Sequence, residues 1–149
     1  MQVDGEFEVR APPEEVFAFL ADPKRLLDCL DDPHTVEKVD ADRFQGTLTT
    51  GVAFIRGTFR YTGSYEDREP GRRLKTRMHG TGLGSGLDAV LTAELAGAGG
   101  GTRVGWHADI VLSGPAATIG ERVIKSTIDK KSASMFENVR RALEGAPKG

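Results

Sequence analysis

The feature that most constrains this chain is a change of hydrophobic period. From Val36 to Leu112 apolar and polar residues alternate with the period of a strand; beyond Ser113 the period becomes that of a helix. Phe44, Gly46, Leu48 and Thr50 share one face of a first long strand. Ile55, Gly57, Phe59, Tyr61, Gly63 and Tyr65 share a face of the next, opposite Arg56, Thr58, Arg60, Thr62, Ser64 and Glu66. Leu74, Thr76, Met78, Gly80 and Gly82 follow, then Leu87, Ala89, Leu91, Ala93 and Leu95, then Val104, Trp106, Ala108, Ile110 and Leu112. The turn EPGR, a Gly/Ser turn and the run AGAGGG punctuate them. Strands at this spacing predict an antiparallel meander. A sheet with one greasy face must cover it, and only the closing segment is large enough to do so.

That segment opens with Ser113-Gly114-Pro115, a capping residue followed by proline at the first turn, and stops at Glu144-Gly145-Ala146-Pro147. Between them lie about 30 residues, roughly 45 Å of helix. Ile119, Val123, Ile128, Met135, Phe136, Val139 and Leu143 form the expected apolar stripe. Glu121 with Lys125, and Glu137 with Arg141, are i,i+4 pairs on the wet side. At the other end, Val3, Phe7 and Val9 alternate with polar residues and predict a half-buried strand. APPEEVFAFLADP then reads as a helix ended by Pro23, and KRLLDCL as a second short one. The expected fold class is α+β: a curved antiparallel sheet of about seven strands around a long C-terminal helix. Residues 1–145 form a single domain without repeats or linkers, and 146–149 a short disordered tail.

The net charge of −2 argues against a general nucleic-acid binder. Residues 1–42 hold 12 acids and 4 bases, whereas 43–79 hold 8 bases and 3 acids. The basic stretch reads first as a solvated sheet face paired with acids elsewhere. A lone cysteine, Cys29, excludes an internal disulfide and fits a cytoplasmic setting. No stretch approaches the ~20 apolar residues of a membrane span, and the polar N-terminus is no signal peptide, so any membrane contact is expected to be peripheral.

No catalytic or metal-binding constellation is visible. His34, His79 and His107 have no ligand spacing to Cys29 or a carboxylate cluster, and His79 and His107 alternate onto wet strand faces. No nucleophile elbow or Cys–His pair occurs. The glycine clusters Gly80–Gly86 and Gly97–Gly101 lack the lysine and following helix of a phosphate cradle and read as hairpin turns. Glycines at inward strand positions carry the positive signal. Gly46, Gly57, Gly63, Gly80 and Gly82 fall on inward faces among aromatic and apolar residues. They either leave a hollow for an apolar ligand or let the sheet bend around its helix. Tyr61, Tyr65 and Trp106 add polar tips that either orient a ligand or bond to backbone. The candidate ligand-binding residues are Phe17, Leu20, Phe59, Tyr61, Met78, Leu91, Trp106, Ile119 and Val123.

Together, GEFEVRAPPEEVFAFLADP, GVAFIRGTFRYTGSYED and GGGTRVGWHADIVLSGPAATIGERVIKSTIDKKSASMFENV resemble the CoxG family, named for the G subunit of carbon monoxide dehydrogenase. That family is a branch of the START-like, polyketide-cyclase-like (SRPBCC) helix-grip superfamily, and the resemblance spans about residues 2–143. It departs at Cys29-Leu30-Asp31-Asp32-Pro33, where the family often carries a Cys-Ile-Pro-Gly-Cys-like stretch bordering the cavity mouth. The hydrophobic C-terminal extension of some members is not carried over. The resemblance implies an accessory protein that is not an enzyme and has no resident cofactor beyond a bound quinone or lipid. It also implies a molybdenum hydroxylase complex as partner and peripheral contact with the inner face of the membrane. Two other functions stay open: a cyclase- or hydrolase-like enzyme using the same cavity, and a structural docking factor with a filled core.

Overall fold

The computed structural model describes residues 1–145, so the tail expected at 146–149 lies outside the described residues. The alternating segments form β1 (Gln2–Val9), β2 (Glu37–Lys38), β3 (Arg43–Val52), β4 (Ile55–Glu69), β5 (Arg73–Gly82), β6 (Ser85–Ala98) and β7 (Gly101–Ser113). They pair antiparallel throughout, in the order β1-β7-β6-β5-β4-β3-β2. The meander is as the alternation predicts, with β1 returning to flank β7. A register shift between Tyr65 and Asp67 marks a bulge in β4, the kind of irregularity that bends a sheet.

Two short helices follow β1: α1 (Pro13–Leu20) and α2 (Pro23–Leu27). Glu14 and Glu15 occupy the first turn of α1, where the helix dipole favours negative charge. Pro23 begins α2 rather than merely ending α1. The Asp22 carboxylate caps it, accepting from the backbone N–H groups of Lys24 and Arg25 at 3.1 and 3.2 Å.

The closing helix, α3, spans Glu121–Glu144 and is shorter than the start signal suggests. Pro115 opens a separate 3-10 turn, Gly114–Thr118, and Gly120 follows with a φ of 91°. That left-handed conformation, open to glycine, breaks the helical path before α3 starts. The 24 residues of α3 give roughly 36 Å of helix. Within α3 the buried stripe falls one residue later than the expected Val123. Ile124 is buried, in step with Ile128, Met135 and Val139, whereas Val123 is 43% exposed. The predicted ion pairs form, Glu121 with Lys125 at 3.4 Å and Glu137 with Arg141 at 3.8 Å.

The sheet curves around α3, and the two ends of the resulting groove differ. At one end α1 acts as a plug. Val9, Val16, Leu74, Leu95 and Val104 are buried there with Phe17 and Leu20. The C-terminal half of α3 is anchored beside it. Val139 is fully buried, Phe136 stacks on Phe7 at 4.1 Å between centroids, and Trp106 leans on Phe136 at 5.8 Å. The backbone N–H of Arg10 donates to the Glu144 carboxylate at 3.0 Å. Among the described residues no such plug closes the other end, where the β5–β6 hairpin meets the 3-10 turn.

Candidate functional site

At that second end a cavity of about 280 Å³ separates the sheet from the N-terminal half of α3, close to the lower edge of the roughly 300–1,000 Å³ typical of small-molecule sites. Strand alternation supplies its floor: Leu48, Val52, Ile55, Phe59, Met78, Leu87, Ile110 and Leu112. Ala116, Ile119, Ile124 and Ile128 form the roof, and Leu27, Leu30 and His34 close one side.

Three polar side chains in this wall, those of Tyr61, Thr50 and Ser85, are already engaged. The Tyr61 hydroxyl donates to the Thr35 carbonyl at 2.6 Å, and burial pushes its pKa up to about 12. The Thr50 hydroxyl donates to Asp32 at 2.7 Å. Ser85 Oγ accepts from the Ala116 N–H at 3.0 Å. What faces the hollow is hydrocarbon, so a guest is held by burial of apolar surface rather than by a hydrogen bond to these groups.

The loop after α2 is latched over the side of this cavity. Lys131 of α3 donates to Asp32 at 2.7 Å, Ser134 donates to Asp31, and Asn138 donates to the Cys29 carbonyl at 2.9 Å. Burial alone would raise the Asp32 pKa, but the Lys131 ammonium and the Thr50 hydroxyl outweigh it and hold the carboxyl below its ordinary value. His34 belongs to the same loop. Its Nδ1 lies 2.7 Å from the Asp32 carbonyl and its Nε2 2.9 Å from the Asp28 carboxylate. Both partners are acceptors, so this geometry favours the protonated ring, in which both nitrogens donate. The bond to the Asp32 carbonyl and then that to Asp28 raise its pKa. The alternation pattern gave no hint of His34, whose only local signal is its nearness to Asp28 and Asp32.

The inward glycines mostly do not leave empty space. A Cβ on Gly46 would lie 1.9 Å from the Thr35 carbonyl oxygen, and one on Gly63 2.2 Å from the Phe44 ring. On Gly57 it would meet Leu83 at 2.9 Å, and on Gly82 it would meet Phe59 at 2.6 Å. These positions admit a neighbour's close approach. Only Gly80 among the five both lines the cavity and has room, its nearest neighbour being the Arg60 carbonyl at 3.6 Å.

Of the nine candidate residues, Phe59, Tyr61, Met78 and Ile119 come together at the cavity. Phe17 and Leu20 are instead packed into the plug at the far end. Trp106 covers Gly5 and leans on Phe136. Leu91 pairs with the buried Thr76 and Ala108 but is itself 38% exposed and stands outside the cavity wall. Val123 lies off the buried stripe of α3 and is exposed. Parity correctly assigns the strand residues to the inner face; position along the groove decides which of them meet the hollow.

The family model for CoxG, the G subunit of carbon monoxide dehydrogenase, matches residues 5–144. No curated protein sequence matches the chain. Among solved structures, a conserved protein from Geobacillus kaustophilus superposes with a TM-score of 0.89 at 21% identity, covering 97% of this chain and 95% of the other. A protein from Chromobacterium violaceum gives 0.74 at 19% identity, with 96% and 97% covered. A START superfamily protein from Mycobacterium smegmatis gives 0.71 at 10% identity, again with 96% and 97% covered. At these identities the structural likeness establishes the fold, a START-like helix-grip.

Proposed function

The chain belongs to the CoxG family of carbon monoxide dehydrogenase proteins, and on that premise we propose that it is a non-catalytic carrier of an apolar small molecule. The cavity takes the hydrocarbon part of a quinone or lipid. The protein collects that guest at the inner face of the membrane and delivers it to a molybdenum-containing carbon monoxide dehydrogenase-type enzyme. The observation that carries this reading is a hollow of about 280 Å³ whose wall is hydrocarbon and in which Tyr61, Thr50 and Ser85 are engaged within the protein. Each Å² of apolar guest surface removed from water contributes about 25 cal/mol, so binding strength follows chain length rather than head group. A filled core, as a purely structural docking factor would have, does not fit this hollow. The cyclase-like alternative needs a free acid or base in the wall; His34 has both nitrogens in hydrogen bonds, and His79 is tied through Nδ1 to Asp88.

Native mass spectrometry and organic extraction of the purified protein test the proposal, together with uptake from quinone-loaded vesicles. An apolar molecule retained or acquired in one-to-one ratio is the expected result. Protein that yields no guest on extraction and acquires none from the vesicles overturns it.

A further inference from the structure

The unplugged end of the groove carries exposed apolar side chains on its rim. The two-residue hairpin between β3 and β4 holds Ala53 and Phe54, and Phe54 is 69% exposed. The hairpin between β5 and β6 holds Leu83 and Gly84, and Leu83 is 55% exposed. Ala53 and Leu83 both adopt positive φ, 52° and 53°, a conformation uncommon for such residues and more natural to glycine or asparagine. Each hairpin thus holds a large apolar side chain that is mostly in water. Leu83 lies across Gly57, next to the cavity-lining Ile55 and Phe59. Val123, on the first turn of α3, adds a third exposed apolar group at 43%.

The charge around this rim is one-sided in a chain of net charge −2. The segments 51–60, 81–87 and 112–120 contain no aspartate or glutamate, and Glu121, on the first turn of α3 beside Arg122 and Val123, is paired with Lys125 at 3.4 Å. Arg56 and Arg60 lie on the outer face of β4 and Arg122 on the first turn of α3. None of the three forms an ion pair with a described carboxylate, whereas Lys75 and Arg77 on the neighbouring strand both pair with Glu66. Apolar tips surrounded by unpaired guanidinium groups match the two layers of an anionic bilayer surface, with head groups meeting the charges and acyl chains meeting the tips.

We propose that this rim, centred on Phe54 and Leu83, is the face by which the domain seats on an anionic phospholipid bilayer. The cavity then opens toward the acyl chains, and an apolar guest passes between bilayer and hollow without crossing water. Among the described residues no helix is long and apolar enough to cross a membrane, and the contact inferred is one of hairpin tips. The inference rests on the carrier reading for its purpose, but its test is independent of any guest.

Flotation with quinone-free vesicles separates the two. The wild-type protein is expected to float with vesicles containing phosphatidylglycerol and weakly with pure phosphatidylcholine. The double variant F54D/L83N is expected to lose at least tenfold in partitioning; asparagine suits the positive φ of position 83, and a thermal melt verifies folding. Val111 is also exposed, at 66%, but lies on the outer face of β7, so V111S is expected to float as the wild type does. R56Q/R122Q should reduce the preference for the anionic vesicles. Wild-type protein that ignores both vesicle types overturns the docking surface, as does a double variant that floats like V111S. Concentration-dependent self-association abolished by F54D/L83N, without vesicle binding, would assign the rim to a second copy and also overturn it. Protein that floats yet takes up no quinone removes the carrier reading and leaves the docking surface standing.

Discussion

Replacing Gly80 with leucine introduces a side chain into the hollow from the sheet side. Gly80 is the one inward glycine with room for it: its φ is not positive, and an added Cβ has no neighbour nearer than 3.6 Å. Four carbon atoms enter apolar space. At about 0.8 kcal/mol per buried methylene the gain is at most about 3 kcal/mol, less ~0.5–1 kcal/mol for the leucine rotamers that are frozen. The guest-free G80L protein is therefore expected to be about 1–2 kcal/mol more stable. At ~2–4 °C per kcal/mol for a domain approaching this size, its Tm should rise by roughly 2–8 °C. The same four carbons displace guest contact worth about as much as the burial gain, and each ~1.4 kcal/mol is a tenfold change in Kd. Affinity for an apolar fluorescent probe should fall about 100-fold. Differential scanning fluorimetry and probe titration on the same samples read both effects. A lower Tm would mean that the space at Gly80 is not an accessible hollow. Unchanged affinity would mean that the guest sits elsewhere, and either result refutes the site.

Three further outcomes follow from the packing and the latch. G46A should be severely destabilised, by more than about 2 kcal/mol, because its Cβ would sit 1.9 Å from the Thr35 carbonyl oxygen; denaturant unfolding checks it, and near-wild-type stability would contradict the packing. K131A removes a partly exposed ion pair to Asp32 and should cost only ~0–1 kcal/mol globally, while hydrogen exchange in 28–35 increases and exchange in β5 and β6 does not. The third outcome concerns pH. The His34 pKa is raised in the folded state, so its contribution is complete below the ordinary value of 6.5 and is lost as pH rises through the folded value. Asp28, held low first by Lys24 and then by His34, and Asp32 contribute above 3.8 and lose that contribution as pH falls through their depressed values. The loop should therefore be best protected between about 4 and 6.5. NMR titration of the His34 ring should give a midpoint above 6.5 that falls in D28N; an unshifted midpoint in that variant would break the assignment.

Sequence by itself determined the elements, their order and the face each residue presents, because hydrophobic period and capping are local. The two-residue period placed Phe59, Tyr61 and Met78 inside, and the charge spacing on α3 fixed the pairs Glu121–Lys125 and Glu137–Arg141. Tertiary structure alone decided what those inward faces meet. Phe17 and Leu20 have the same apolar character as Phe59, yet α1 carries them into the plug at the other end of the groove. Four of the five inward glycines seat a ring, a leucine or a carbonyl, and only Gly80 borders open space. A period states which side of a strand is covered but not whether the cover touches it; that depends on where α3 starts and which of its residues are anchored. With α3 anchored through Met135 and Val139, its period turns Ile124 inward and leaves Val123 out. The latch was equally hidden, because Lys131 and Asp32 stand 99 positions apart. Only the closure of the chain on itself brings their charges together.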